Sequence, residues 1–276
     1  MSLKKIINLF VPPLFLQGYR SLRGVMSEGH YGLSGDYRSW EEAAQSSTGY
    51  DSKVIIEKTK AAILKVKKGE AVGERDSVLF DEVQCSWPLL AGLLWVAAQS
   101  GGKLNVLDFG GSLGSTYFQN RVFLNRLIKV RWNIVEQMNY VKIGKECFED
   151  DDLKFYSSID ECLSKTTPNV IILGSVLQYL ERPYDVLSEL QGLPCEHIII
   201  DRTPFWNGSQ DRLCVQSVSP SIYPASYPCW IFSTQSFTAR FNRDWEFIAE
   251  FESQDRLEAP IKIIWKGMHI MRKSKV

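Results

Sequence analysis

The sequence predicts an α/β protein on a doubly wound, Rossmann-like sheet of seven strands, with an N-terminal helical extension over residues 1–85 and the main domain over 86–276. Three observations predict it. Strand-like apolar runs at 104–109, 130–136, 153–156, 170–173 and 197–201 alternate with helix-length segments, the order that yields parallel strands joined by right-handed crossovers. The runs V-I-I-L at 170–173 and H-I-I-I-D at 197–201 are almost uninterruptedly apolar, as strands covered on both faces are. The first run ends in Gly110-Gly111-Ser112-Leu113-Gly114 before helix-compatible residues 115–125, so strand, glycine loop and helix follow in succession.

Element by element, residues 1–16 set Lys4 and Lys5 beside Leu3, Ile6, Ile7, Leu9 and Phe10, ahead of Pro12-Pro13. The apolar run is too short for a secretory leader. It reads as a helix packed on the domain or a partner chain, or one resting on a membrane face. Residues 18–49, rich in Gly, Ser and Tyr, read as loop with a brief helix at 40–44. Further on, Ile55, Ile56, Thr59, Ala62, Ile63 and Val66 form one stripe of a Lys-rich helix. A connector spans 69–81, and Ser86-Trp87-Pro88 opens an apolar helix that Gly101-Gly102 stops. Its dense apolar part, 87–98, is too short for a membrane span of about 20 residues, so it is a core helix. Helices follow at 139–148 and 182–190, and residues 245–251 with 261–271 alternate like a closing antiparallel pair.

Composition narrows the function classes. Thirty-two Lys and Arg balance thirty-two Asp and Glu, so no general positive field exists to hold nucleic acid or an anionic membrane. Six cysteines without a C-x-x-C pair, in a chain long enough to need no disulfides, suit reduced thiols in a cytoplasm. Three histidines, none at ligand spacing from a cysteine or another histidine, give no metal site.

The chemistry lies in the glycine loop. Glycine lets a ligand approach backbone N–H groups at a helix start, where a Cβ would hold it away. Glu136 ends the next strand, 28 residues after Asp108, where a carboxylate accepts the hydroxyls of a ribose. Asp108 immediately precedes the loop in D-F-G-G-S-L-G, and an acid there would repel a pyrophosphate but suits a cationic amine. The residues resemble the first motif of the class I S-adenosylmethionine (SAM)-dependent methyltransferases, departing from it at Ser112, which replaces the middle glycine after an extra Gly111. The resemblance implies SAM as cofactor and S-adenosylhomocysteine (SAH) as product. It places Asp108, Phe109, Gly110, Gly111, Ser112, Gly114, Glu136, Gln137, Ser157 and Ser175 around them. The segment 174–180 resembles the one lining the methyl end in that family, with Gln178-Tyr179 where Glu-His is frequent.

More narrowly, the chain is similar to a small bacterial family assigned as methyltransferases of surface-polysaccharide loci. The motifs carrying this are G-Y-D at 49–51, E-R-D-S-V-L-F-D at 74–81, W-P-L-L-A-G at 87–92, L-D-F-G-G-S-L-G-S-T-Y-F-Q-N-R at 107–121, S-V-L-Q-Y-L at 175–180, I-D-R-T-P-F at 200–205 and S-I-Y-P-A-S-Y-P at 221–228. This resemblance implies a sugar or glycan-precursor acceptor.

On the acceptor side, residues 213–239 carry no charge, with Pro220, Pro224 and Pro228 interleaved by Tyr223, Tyr227 and Trp230. They read as a stiff inserted loop, about 205–232, overhanging the crevice, with Arg202 at its root. A hydroxyl acceptor wants a general base; Asp201 is the first candidate, then Tyr179 and His30. His197 and His269 read as structural. Two other readings stay open at this level. One is a nicotinamide- or sugar-nucleotide-dependent enzyme, disfavoured by the missing G-x-G-x-x-G. The other is a non-catalytic methyltransferase-like scaffold, consistent with the lack of an obvious catalytic histidine.

Overall fold

A computed structural model describes residues 31–49, 52–75, 77–81, 85–219, 222, 224–241, 244–253, 255 and 257–273. His30, Tyr223 and the N-terminal segment 1–16 lie outside the described residues.

The strands are β1 (Gly32–Tyr37), β2 (Gly73–Arg75), β3 (Val78–Phe80), β4 (Lys103–Phe109), β5 (Lys129–Val135), β6 (Leu153–Tyr156), β7 (Val170–Gly174), β8 (His197–Trp206), β9 (Arg212–Ser217), β10 (Ser226–Ser233), β11 (Trp245–Glu252) and β12 (Ile264–Arg272). Between them run helices α1 (Trp40–Gln45), α2 (Ser52–Lys67), α3 (Trp87–Gln99), α4 (Ser115–Leu124), α5 (Met138–Cys147), α6 (Ile159–Leu163), α7 (Pro183–Gly192) and α8 (Thr234–Thr238), with a 3-10 turn at Leu177–Tyr179.

The expected doubly wound core is present. In the order β6, β5, β4, β7, β8 the strands are mutually parallel, β12 runs antiparallel along β8, and β11 closes the edge on β12. Strand alternation sends neighbouring side chains to opposite faces. Val106, Ile172 and Ile199 pack with Leu93, Val96, Tyr117 and Val141 of α3, α4 and α5. Leu107, Ile171 and Ile198 pack with Leu187, Leu190 and Phe237 of α7 and α8. Both faces are therefore covered, which is why these runs carry no polar alternation. Within α3, Ser86 takes the N-cap position but its side chain makes no capping bond.

Three further strands extend the sheet where the sequence suggested irregular chain. Part of the stretch read as loop is β1, paired antiparallel with β9. The Pro/Tyr segment read as a stiff loop is largely the antiparallel pair β9–β10. The connector 69–81 contains the β2–β3 hairpin. The path of β10 decides where the site lies. Ile198 is flanked by β7 and β12, but Phe205 by β10 and β12, so β10 takes over the side of β8 that β7 leaves at Gly174. The β1–β9–β10 layer thus stands beyond the carboxyl end of β7, over the crevice where open α/β sheets receive ligands.

Candidate functional site

The carboxyl ends of β4, β5 and β7 lie side by side with the middle of β8, Phe109 opposite Val135 and Gly174 opposite Asp201. This register gathers Asp108, Phe109, the glycine loop, Glu136, Gln137, Ser175, Asp201 and Arg202 at one end of the sheet. Gly110 has φ +71°, and its N–H donates to the Val135 carbonyl at 2.9 Å. A Cβ on Gly110 would collide with Val176. Gly114, at φ +97°, is the N-cap of α4 and accepts from the Phe118 N–H at 3.0 Å.

Left-handed backbone at residues other than glycine marks three positions here: Ser112 in the loop at φ 53°, Ser175 after β7 at φ 57° and Arg202 within β8 at φ 52°. Each is strained by about 1–3 kcal/mol, which persists only where surrounding contacts enforce it. At Ser175 and Arg202 those contacts form a clasp across β7 and β8. The Asp201 carbonyl accepts from the Ser175 N–H at 2.9 Å. Asp201 Oδ1 accepts from the Arg202 N–H at 2.8 Å and from Ser253 Oγ at 2.9 Å. The fully buried Gln178 amide donates to Ser175 Oγ at 3.0 Å and to the Arg202 carbonyl at 3.1 Å.

Asp108 does not open into the crevice. It is 1% exposed, its Oδ2 accepts from the Trp132 indole at 2.9 Å, and a Cβ on Gly111 would stand 2.5 Å from its carboxyl carbon. The acid therefore lies under the loop, where the sequence suggested a direct grip on an amine. Burial pushes its carboxyl up to about 7; the Trp132 bond lowers it, the Glu136 charge raises it and Arg202 lowers it. Glu136 is half-buried, with Oε2 accepting the Gln137 N–H at 2.6 Å. Burial raises its pKa too, against the Gln137 and Ser112 N–H donors. Two desolvated acids at adjacent strand ends make a place that favours positive charge.

The other expected residues fall into two groups. Ser157 follows β6, one strand outward, and both its N–H and its hydroxyl donate to Glu161 at 2.7 Å. Tyr227 and Trp230 stand on β10 in the added layer, and each reaches the chain at 179–180. The Tyr179 and Tyr227 rings are edge-to-face at 5.2 Å, Trp230 Nε1 donates to the Leu180 carbonyl at 3.0 Å, and Trp40 stacks on Trp230 at 6.3 Å. Neither described candidate base is disengaged: Asp201 holds the Arg202 backbone, and the Tyr179 hydroxyl donates to Gln216 Oε1 at 2.9 Å.

Local sequence patterns give no site role to Trp132, Ser253, Gln216 or Glu74, all tied to this region by side-chain bonds. Glu74 had a signal, since it heads one of the motifs quoted above; the others bond across long sequence separations that no local pattern reveals. His197 and His269 lie away from the crevice, 3.2 Å apart and edge-on to Trp95, as structural residues do. Among the described residues, no helix is long and apolar enough to cross a membrane and no cluster of His, Cys, Asp and Glu could hold a metal ion.

No family model and no curated protein matches the sequence. Solved structures do match. The N-terminal domain of EvdMO1, solved in the presence of SAH and D-fucose, is 12% identical with a TM-score of 0.48, over 82% of this chain and 98% of that one. The magnesium protoporphyrin IX methyltransferase ChlM from Synechocystis PCC 6803, with bound SAM, is 11% identical with a TM-score of 0.44, over 82% and 99%. A Burkholderia thailandensis 1,6-didemethyltoxoflavin-N1-methyltransferase is 10% identical with a TM-score of 0.42, over 88% and 94%. The assignment of fold rests on the strand order and register above.

Proposed function

We propose that this chain is a SAM-dependent methyltransferase that methylates a hydroxyl of a sugar or glycan precursor, releasing SAH, in cytoplasmic steps of surface-polysaccharide assembly. One observation carries the cofactor reading: Asp108 and Glu136, both raised in pKa by burial, meet the same glycine loop from adjacent strand ends. A desolvated acid pair gains from a cationic, phosphate-free nucleoside and loses from a pyrophosphate. Glu136 would take the ribose hydroxyls, and the loop from Gly110 to Gly114 the methionine part, with Asp108 beneath as the charge complement. Gln137 and Ser157 would flank the adenine, and Ser175 the methyl end.

When bound, SAM would supply an electrophilic methyl on a sulfonium, with a neutral thioether as the leaving group and the acceptor's hydroxyl proton passing to solvent. The chain's own contribution is placement. The Asp201–Gln178–Ser253 clasp fixes Ser175 and Arg202, while Tyr227, Trp230 and Tyr179 present aromatic faces and a hydroxyl to a neutral, hydroxyl-rich acceptor. With Asp201 and Tyr179 hydrogen-bonded to the scaffold, most of the acceleration comes from alignment of the acceptor oxygen with the methyl carbon.

Calorimetry with SAH, SAM and NAD tests the cofactor, and binding of NAD alone overturns it. Mass spectrometry of candidate acceptors incubated with isotope-labelled methyl donor tests the reaction. A chain that binds SAH yet labels no sugar or glycan precursor would leave the acceptor proposal without support and favour the non-catalytic scaffold.

A further inference from the structure

The segment E-R-D-S-V-L-F-D folds largely as the β2–β3 hairpin and places Glu74 against the glycine loop's exit. Glu74 is 2% exposed, yet its side chain is well bonded. Oε2 accepts from Ser115 Oγ at 2.6 Å and Oε1 from the Ser77 N–H at 2.6 Å, while the Gln119 amide donates to the Glu74 carbonyl. Ser115 is the first residue of α4. That helix starts without a capping side chain, because its N-cap is Gly114, and it has no acid in its own first turn. A helix start exposes N–H groups and about half a positive charge, and nucleotide-binding folds put a phosphate there. In this chain a carboxylate from another element is stationed at that end.

The loop is thus met by acids at three points: Asp108 under Gly111, Glu136 at the Ser112 N–H, and Glu74 at Ser115. The first two follow from the strand ends. The third is delivered by the β2–β3 hairpin, whose own turn it also holds through the Ser77 N–H.

We propose that Glu74 is a positioning residue that also sets ligand class. It clamps the hairpin onto the exit of the glycine loop, and its charge at the start of α4 turns away phosphate-bearing nucleotides in favour of a neutral or cationic adenosyl ligand. The inference rests on the cofactor reading given under the proposed function.

The test measures SAH affinity of the full chain by calorimetry, and the NAD concentration that displaces SAH, in wild type, Glu74→Gln and Ser115→Ala. Glu74→Gln keeps the shape and hydrogen-bonding capacity but removes the charge. The SAH-over-NAD preference should fall about tenfold, the effect of one partly buried charge at a helix start. A merely structural Glu74 would shift both ligands together. An unmoved ratio in folded Glu74→Gln overturns the proposal, and so does failure of NAD to displace SAH from Glu74→Gln. Ser115→Ala cuts the clamp while leaving the charge, and carries the test if Glu74→Gln does not fold. SAH binding should weaken about threefold, the loss of one modest hydrogen bond, and unchanged binding overturns the clamp. Wild type binding NAD but not SAH sinks the cofactor reading instead, a result distinct from SAH binding that is indifferent to Glu74.

Discussion

The indole of Trp132 donates to Asp108 Oδ2 at 2.9 Å between adjacent strands, with both side chains buried. This bond partly offsets the desolvation of the acid, and it fixes the carboxyl beneath Gly111. Trp132→Phe keeps an aromatic ring but removes the donor. It should destabilise the fold by about 1–3 kcal/mol, the range for leaving a buried acceptor unpaired, and lift the Asp108 pKa further. Urea denaturation reads the first effect and the pH profile of ligand binding the second. A stability loss without any move in the pH profile would mean that Trp132 fills space and no more.

The pH profile has a definite sign. Asp108 titrates near 7 in the unliganded fold, and a cationic ligand favours its ionised form. Affinity for SAM should therefore climb from pH 6 to about 7 and then level. Asp108→Asn should flatten that climb. The linkage to folding runs the other way: a folded pKa above the unfolded value contributes stability below about pH 4 that is lost as the pH rises through about 7. Calorimetry across pH 6 to 8 on wild type and Asp108→Asn decides the matter, and a climb surviving in the variant assigns it to another group.

Glu136 and Gly110 separate chemistry from shape. Glu136 is bonded to the neighbouring Gln137 and Ser112 N–H groups and lies at a strand end, not in the apolar core. Glu136→Ala should weaken SAH binding at least about tenfold, the equivalent of a charge-assisted bond or two, with a near-native melting temperature. Gly110→Val meets both a left-handed backbone and the Val176 side chain, so it should abolish binding by distorting the loop. Retained affinity in both variants would move the ligand site elsewhere.

How much of this was legible in the sequence depended on whether the determinants were local. The strand at 103–109, its glycine loop and the helix after it are specified by adjacent residues, as are the apolar runs of β7 and β8, and these were readable. β1 was not, because Gly32–Tyr37 buries only its first two residues and pairs with a strand near the other end of the chain. Nor was β10: Pro228 argues against a strand, yet between the Ser226 bridge to Gly49 and Phe232 the described pairing of β10 is with β9 alone, and a strand with one unpaired edge tolerates a missing N–H. The site divides in the same way. Asp108 and Glu136 stand out by position, whereas nothing near Asp201 in the sequence signals that Ser253, on the far side of β12, holds its carboxylate.

The buried histidine pair gives a prediction independent of any ligand. His269 Nε2 and His197 Nδ1 are 3.2 Å apart, so one ring donates and the other accepts, which requires at least one neutral imidazole. Burial first, then the proximity of His197, presses His269 down to about 4, and burial also lowers His197. With folded pKa values below the unfolded value of about 6.5, the unfolded chain takes up protons first. Stability is therefore full above about pH 6.5 and declines as the pH falls toward 4, with a slope of up to about 1.4 kcal/mol per pH unit for each proton involved. Denaturation midpoints at pH 7.5, 6.5, 5.5 and 4.5 should trace this decline in wild type and show a shallower one in His269→Gln, which keeps a hydrogen-bonding side chain but cannot titrate. Equal slopes in the two proteins would assign the acid sensitivity to the carboxylates and leave the pair with a packing role against Trp95 alone.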